Sequence, residues 1–454
     1  MRLTILGGGG FRVPLVYGAL LRDHAEGRVT HVTLHDLDRA RLTAIARVLA
    51  DQADEVPDAP SVTVTTDLDE ALRGADFVFS AIRVGGLEGR AADERVALAE
   101  GVLGQETVGA GGIAYGLRTV PVAVDIARRV ARLAPDAWVI NFTNPAGLVT
   151  EAMSRHLGDR VIGICDSPVG LGRRVARVLG VTDPAAARLD YVGLNHLGWL
   201  RGVYADDGPG RDNLLPALFD DERALASFEE GRLFGAEWLR SLGSIPNEYL
   251  HYYYFNRETV TAYREAKQTR GAFLRDQQAR FYDGMADRTS ASGALAAWDR
   301  TRAEREATYM AENREAAGAG ERAADDLESG GYEYVALALM RAIARDEHAT
   351  LILNVRNGDT LSLLDEAAVV EVPCLVDATG ARPVAVSPLT GHEAGLVAAV
   401  KAVERCVLEA GESGSARAAV KAFALHPLVD SVGVARRLLD GYRSAHPGLG
   451  YLRS

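Results

Sequence analysis

The feature that most limits the folds open to this chain is the regular alternation, at its start, of short apolar runs with helix-spaced segments. "RLTIL" at 2–6 ends in glycines and is followed by "VPLVYGALL", and "HVTLHD" at 31–36 is followed by "RARLTAIARVLADQ". Further apolar runs stand at "DFVFSAI" (76–82), "AWVINF" (137–142) and "VIGIC" (161–165). Such runs are too short for buried helices and match strands covered on both faces. Strands separated by helices pair through crossovers, so the spacing predicts a mostly parallel sheet in an α/β fold. Ligands of such sheets sit at the carboxyl ends of the strands.

Beyond residue 195 the alternation stops. Amphipathic helices containing Tyr and Trp dominate, two strands are predicted at "TLILNV" and "AVVEVPCLV", and long helices close the chain. The expected organisation is a parallel α/β domain over 1–195 and an α+β domain over 196–454. The Ala-, Arg- and Glu-rich run at 286–331 reads as a solvated helix and a mobile loop without a binding role. No apolar run reaches the roughly 18–20 residues that span a bilayer. "MRLTILGGGG" lacks the long apolar core of a signal peptide and reads as a first strand, so a cytoplasmic protein without a membrane partner is expected. The three cysteines, at 165, 374 and 406, are too few and too far apart for a disulfide framework. Cys374 and Cys406 lie within predicted elements and read as packing residues. A net charge of −12 argues against a nucleic-acid partner and means that an anionic substrate needs a local cluster of arginines.

Gly7, Gly8, Gly9 and Gly10 follow the first strand and precede a helix, and Asp36 closes the second strand. Glycines let the backbone turn tightly against a pyrophosphate, whose charge the helix N-terminus favours. An acid at the end of the second strand accepts from the adenosine ribose and disfavours a 2′-phosphate, which points to NAD rather than NADP. The order of strand, turn, helix, strand and acid is that of a Rossmann-type domain, although Arg12 stands where the third glycine of GxGxxG belongs. "NFTNPAG" (141–147) ends another strand, either as a ligand-contacting turn or as a plain Asn-Pro helix start.

"GICDSPVG" (163–170) places Cys165 beside Asp166 at a strand end, and His196 follows in "GLNHLGW". An inert buried thiol is one reading of Cys165. The other is that Cys165 and His196 are two metal ligands, too few for a closed zinc site but leaving a shell that substrate oxygens could complete. Mn²⁺ is then a candidate, with a thiolate as an unusually soft ligand.

Taken in order, "LGGGG…P", "RVGGLEGRAADE", "GQETVGAGG", "NFTNPAG", "GICDSPVG", "GLNHLGW" and "IPNEYLHYY" resemble the motifs of glycoside hydrolase family 4. The likeness continues through "NVRNGD" and "HPLVDS", and so covers nearly the whole chain. The resemblance implies a lactate- and malate-dehydrogenase-like fold, NAD and a divalent metal, usually Mn²⁺, and a reaction outside the two-carboxylate scheme of most glycosidases. C3 of the sugar is oxidised, a base removes the acidified C2 proton, and the aglycone leaves from C1. Water then adds and C3 is reduced again. It also implies that Cys165 and His196 hold the metal, that Tyr249 is the C2 base, and that Asp166 serves the leaving oxygen. Substrate contacts carried over from the family are Arg90, Asn144 and Arg270, with Glu106 either binding a hydroxyl or supporting a residue that does. A homodimer or homotetramer is implied as well.

Most members with this pattern act on 6-phosphoglucosides, and the sequence leaves the anomer open. "RVGG" and "FTNPAGLVTEA" resemble the 6-phospho-β-glucosidases, whereas Asp166, "GIAYG" and "GLNHLGW" resemble the 6-phospho-α-glucosidases. Gly10 replaces a serine usual in the family's first loop, and Arg356 stands where a proline is common. Three other readings remain at this point: a 6-sulfonated or unphosphorylated glycoside as substrate, an NAD-dependent 2-hydroxyacid dehydrogenase, and an inactive NAD-dependent sensor.

Overall fold

The computed structural model describes residues 1–205, 212–287, 290–319 and 331–453. Five of its strands come from the alternating segment as expected: β1 (Arg2–Leu6), β2 (His31–His35), β4 (Phe77–Ser80), β5 (Trp138–Asn141) and β6 (Val161–Gly163). A further strand, β3 (Ser61–Thr65), joins them at one edge. All six are parallel, in the order β3-β2-β1-β4-β5-β6. This is the doubly wound order whose direction reverses between β1 and β4, which opens a crevice at the carboxyl ends of those strands. Local chemistry sets the elements. Pro14 stands in the first turn of the helix Val13–Leu21, where its missing N–H costs nothing. Asp38 caps the helix Arg39–Gln52 by accepting from Ala40 N at 2.9 Å and Arg41 N at 3.0 Å.

β3 is absent from the sequence reading because "SVTVT" is an edge strand of alternating polarity, half exposed along its length. A larger difference lies at residues 188–204, where β7 (Arg188–Leu194) and β8 (Leu197–Tyr204) form an antiparallel hairpin. Asn195 and His196, where the sequence changes character, are its two-residue turn. The second half then extends the same sheet: β9 (Ile245–Pro246) pairs β8, and β10 (Ala349–Arg356) pairs antiparallel with β11 (Val369–Asp377). β12 (Gly380–Pro383) pairs β11 at its far end. The two halves of the sheet join where Asn354 of β10 meets Gly163 of β6, and the hairpin joins where Glu371 of β11 meets Gly193.

Apolar layers cover both faces. One core gathers β1, β2 and β4 with the helices Val13–Leu21 and Arg39–Gln52 and runs on under β7, β8, β10 and β11. A second forms where the helices Gly391–Ser413, Ala416–Leu425 and Val432–Ala445 pack on the 25-residue helix Gly109–Leu133. Cys374 and Cys406 are buried within these layers, as expected of packing residues. The start of the long helix is pressed against the preceding loop, since a Cβ on Gly111 would lie 2.2 Å from the Gln105 carbonyl oxygen. Among the described residues no helix is long and apolar enough to cross a membrane.

Candidate active site

A cavity of about 1380 Å³ opens over the carboxyl ends of β1, β4, β5 and β6. Its dinucleotide end is shaped by backbone. Gly7 has φ +79° and sits so close to Ala81 that a Cβ would fall 2.5 Å from the Ala81 oxygen. Gly7 and Gly10 line the cavity with Asp36, whereas Gly8 packs on Leu34 behind it and Gly9 donates from its N–H to Asp36 Oδ2 at 3.1 Å. Of the glycines the sequence singles out, Gly7 and Gly10 thus face the cavity beside Asp36, and Gly8 and Gly9 shape the turn from behind. Arg12, at the missing third glycine, also lines the cavity and lies over the rings of Phe142 and Tyr332.

At the other end the strand termini bring Asn144, Cys165, Asp166 and His196 to one cavity. Asn144 Oδ1 is buried and has no hydrogen-bond partner among the described residues, so this wall carries a donor-seeking oxygen. Asp166 directly precedes the helix Ser167–Val178. His196 occupies the hairpin turn with φ +62°, a left-handed conformation uncommon for a residue other than glycine. Its partner in the turn is clamped: Asn195 Nδ2 donates to Glu371 Oε1 at 3.1 Å, and Asn195 Oδ1 accepts from Ala146 N at 3.2 Å. Asn354 Nδ2 and the Tyr191 hydroxyl also donate to Glu371, at 2.9 and 3.0 Å. Burial raises the Glu371 carboxyl to about 7, and these three donors act against that rise.

Thr107 Oγ1 and His196 Nδ1 are 2.8 Å apart, which fixes the imidazole plane and leaves Nε2 for another partner. The Tyr249 ring stacks on the imidazole at a centroid distance of 3.7 Å and an interplanar angle of 6°. Burial lowers the His196 pKa to about 3, so the imidazole is neutral, the form that ligates metals. Burial, then Glu371 and Asp166, push the Cys165 thiol well above its ordinary value. Among the described residues no three His, Cys, Asp or Glu side chains gather as a complete cation site. The donors available to a cation are thus a thiol and a neutral imidazole, with the Asn144 amide oxygen on the same wall left for the substrate. They suit a divalent cation whose shell a substrate completes.

Tyr249 is tied to a polar chain. Its hydroxyl lies 3.1 Å from that of Tyr309, which donates to Glu248 Oε1 at 2.9 Å, and Ser167 Oγ donates to the same oxygen at 3.2 Å. Burial, then the Glu248 charge, push the Tyr249 phenol well above its ordinary value. Glu106 is bracketed by Arg83 and Arg90, and Arg90 also donates from Nε to Glu94 at 3.1 Å. Burial opposes ionisation of Glu106, but the two guanidiniums outweigh it and hold the carboxyl well below its usual range. Arg270 reaches the cavity from the helix Arg270–Ala286.

The segment expected to be solvated is corrected by the structure over its described part. The helix Ala294–Ala307 docks through Trp298, whose Nε1 donates to the Phe11 carbonyl at 2.7 Å, and it brings Arg302, Arg305 and Glu306 to the cavity. The rest of that run, at 288–289 and 320–330, lies outside the described residues. Arg12, Arg83, Thr107, Arg305 and Tyr309 were thus not foreseen. Thr107 and Arg83 lie inside quoted motifs that pointed to their neighbours, and Trp298 is the one signal that the charged helix docks.

Comparison with known proteins agrees with this geometry. Residues 2–181 match the model "Family 4 glycosyl hydrolase", and residues 191–429 match "Family 4 glycosyl hydrolase C-terminal domain". The chain is 32% identical to the "Probable 6-phospho-beta-glucosidase" of Bacillus subtilis (strain 168), over 98% of this chain and 96% of that one. A 6-phospho-alpha-glucosidase from gut microorganisms in complex with NAD and Mn²⁺ is 26% identical, with a TM-score of 0.77 over 99% of this chain and 98% of that one. One in complex with NAD and glucose-6-phosphate is 25% identical, with a TM-score of 0.79 over 100% and 99% of the two chains. With both parts of the chain matched, and a relative 32% identical over 98% of this chain, this protein is a glycosidase that belongs to the family 4 glycosyl hydrolases.

Proposed function

We propose that this chain hydrolyses 6-phosphoglucosides, with NAD⁺ and a divalent cation, by oxidation at C3, elimination across C1–C2, addition of water and reduction. The observation that carries the reading is the single cavity in which a glycine cradle, Asp36, the Cys165–His196 pair and Tyr249 meet. In this reading residues 1–195 carry the dinucleotide and residues 196–454 complete the sugar site. Bound there, NAD⁺ accepts and returns a hydride, while a divalent cation polarises the sugar hydroxyls and lowers the pKa of the phenol stacked on His196.

The chain's own residues supply the rest. Tyr249 takes the C2 proton, and its hydrogen bond to Tyr309 fixes the direction of the phenol oxygen. Thr107 holds His196 in one orientation. Asp166, at the start of its helix, serves the departing C1 oxygen. Asn144 offers its unpartnered oxygen to a substrate hydroxyl, and Glu106, kept ionised by Arg83 and Arg90, accepts from another. Reduced cysteines and a phosphorylated sugar substrate fit a cytoplasmic enzyme. An assembly of two or four copies, which the family likeness implies, is read by light scattering.

The test is a panel of 4-nitrophenyl α- and β-glucosides, with and without a 6-phosphate, each run with NAD⁺ and Mn²⁺. Turnover of the phosphorylated members, lost on dialysis against a chelator and restored by Mn²⁺, is the expected result. Equal turnover of unphosphorylated members would reject the substrate class. NADH rising in step with substrate consumed would instead mark a dehydrogenase.

A further inference from the structure

The guanidiniums around the cavity are unequally neutralised. Arg83 and Arg90 pair with Glu106, Arg90 also with Glu94, and Arg174 pairs with Glu230. Arg305 lines the same cavity from the last turn of its helix, yet among the described residues no carboxylate lies within ion-pair distance of it. The largest charges that bear on it are those of Arg12, Arg270 and Arg90, with Glu106 in opposition. Burial, then these three cations, push its pKa well below the ordinary arginine value. Arginine stays protonated in proteins, so such crowding is relieved by a bound anion rather than by loss of a proton.

The arrangement is also built in place. Arg270 Nη1 donates to Thr308 Oγ1 at 2.6 Å, and its Nη2 donates to the Arg305 carbonyl oxygen at 2.8 Å. The end of this helix therefore fixes one guanidinium and presents another. The one planar fork presented there, with the fixed positive charge of Arg270 beside it, matches the several oxygens of a phosphate dianion better than a single hydroxyl.

We propose that Arg305, with Arg270 fixed beside it, receives the anionic group at O6 of the sugar and is the residue by which this enzyme prefers phosphorylated glycosides. The proposal rests on the 6-phosphoglucosidase reading and assigns its phosphate to a helix that the family motifs do not mark. Arg90, already bracketed by Glu94 and Glu106, is left to position those carboxylates.

The experiment is titration of the Mn²⁺- and NAD⁺-loaded protein with glucose 6-phosphate, for the wild type, Arg305→Gln and Arg305→Lys, with NAD⁺ titrated separately. Loss of a charge-assisted contact predicts a Kd for glucose 6-phosphate about 10- to 100-fold weaker in Arg305→Gln. Partial recovery is expected in Arg305→Lys, with NAD⁺ affinity held in both, which also shows that the variants are folded. Unchanged affinity for glucose 6-phosphate in Arg305→Gln would overturn the assignment while leaving the substrate class intact. Weakened NAD⁺ binding instead would place Arg305 on the cofactor's pyrophosphate and overturn it too. A wild type that does not bind glucose 6-phosphate would remove both the proposal and the reading beneath it.

Discussion

On the sheet side of the cavity backbone geometry does the positioning, whereas on the helical side long side chains do it. Gly7 turns at φ +79°, His196 sits at φ +62° in a two-residue turn, and Asn144 and Cys165 follow strand ends. Opposite them, Tyr249, Arg270, Arg305 and Tyr309 reach in from helices and helical turns, fixed to one another by hydrogen bonds. A group fixed by backbone cannot be altered without disturbing the fold around it, so variants there lose stability together with binding. A group delivered by a side chain can be altered with the fold intact, and its variants lose rate or affinity alone.

The largest expected effect is on the helical side. Tyr249→Phe should lower kcat by about 10²–10⁴-fold, as removal of a general base does. The lost bond to Tyr309 should cost only about 1 kcal/mol of stability. Steady-state kinetics beside thermal melts and NAD⁺ titration check both, and a collapse of Tm would break the contrast between the two walls. Asp166→Asn comes next. If Asp166 gives its proton to the leaving oxygen, substrates with poor leaving groups should slow by about 10²-fold or more. The 4-nitrophenyl substrates, whose phenolate leaves unaided, should slow far less. Equal losses across the leaving-group series would remove the acid role.

Cys165→Ser should weaken Mn²⁺ binding by more than the roughly 10–100-fold that a ligand's outer partner is worth. Direct Mn²⁺ titration reads this, and an unchanged affinity would take Cys165 out of the site. Gly8→Ala sharpens the comparison on the sheet side, because its Cβ would meet the Leu34 Cβ at 2.7 Å. It should lower stability by about 1–3 kcal/mol, with a parallel loss of NAD⁺ affinity. Loss of one without the other would contradict the backbone account.

The last effect, which shows only as the pH is lowered, concerns the packing beneath the helical wall. Burial lowers His251 to about 4 and His426 to about 3, from an ordinary 6.5. Between those values the unfolded chain binds the protons that the folded chain refuses. Their contribution is therefore fully present above pH 6.5 and is lost as pH falls toward 4 and then 3. Each contributes a slope approaching about 1.4 kcal/mol per pH unit. Melts of the metal-free protein from pH 7 downward, repeated with His426→Gln, should show a shallower decline in the variant.

How much of this the sequence announces follows the same division. Backbone-built parts leave local signatures: glycines where the chain must turn, short apolar runs that stop at ligand-facing ends, and an acid closing β2. Those features bring Gly7, Gly10 and Asp36 to strand ends as a nucleotide cradle, and they put Asn144 and Cys165 at strand ends on the same edge without choosing between a ligand contact and plain packing. The hairpin that carries His196 is harder to see, because its turn is Asn-His rather than Asn-Gly and its partner β11 lies far along the chain. Arg305 has no local mark at all. In an Ala-, Arg- and Glu-rich helix an arginine that faces a cavity and one that faces water read alike, and only docking through Trp298 decides which is which.

The central claim is that hydrolysis proceeds by removal of the C2 proton, and isotope exchange at that carbon tests it most directly. The wild type, loaded with NAD⁺ and Mn²⁺, is run on a 6-phosphoglucoside in D₂O and the released glucose 6-phosphate is examined by NMR. The account predicts deuterium at C2 of the product, introduced when the base is solvent-exchanged between abstraction and return. Product formed at full turnover with hydrogen retained at C2 would contradict elimination, and with it the role assigned to Tyr249.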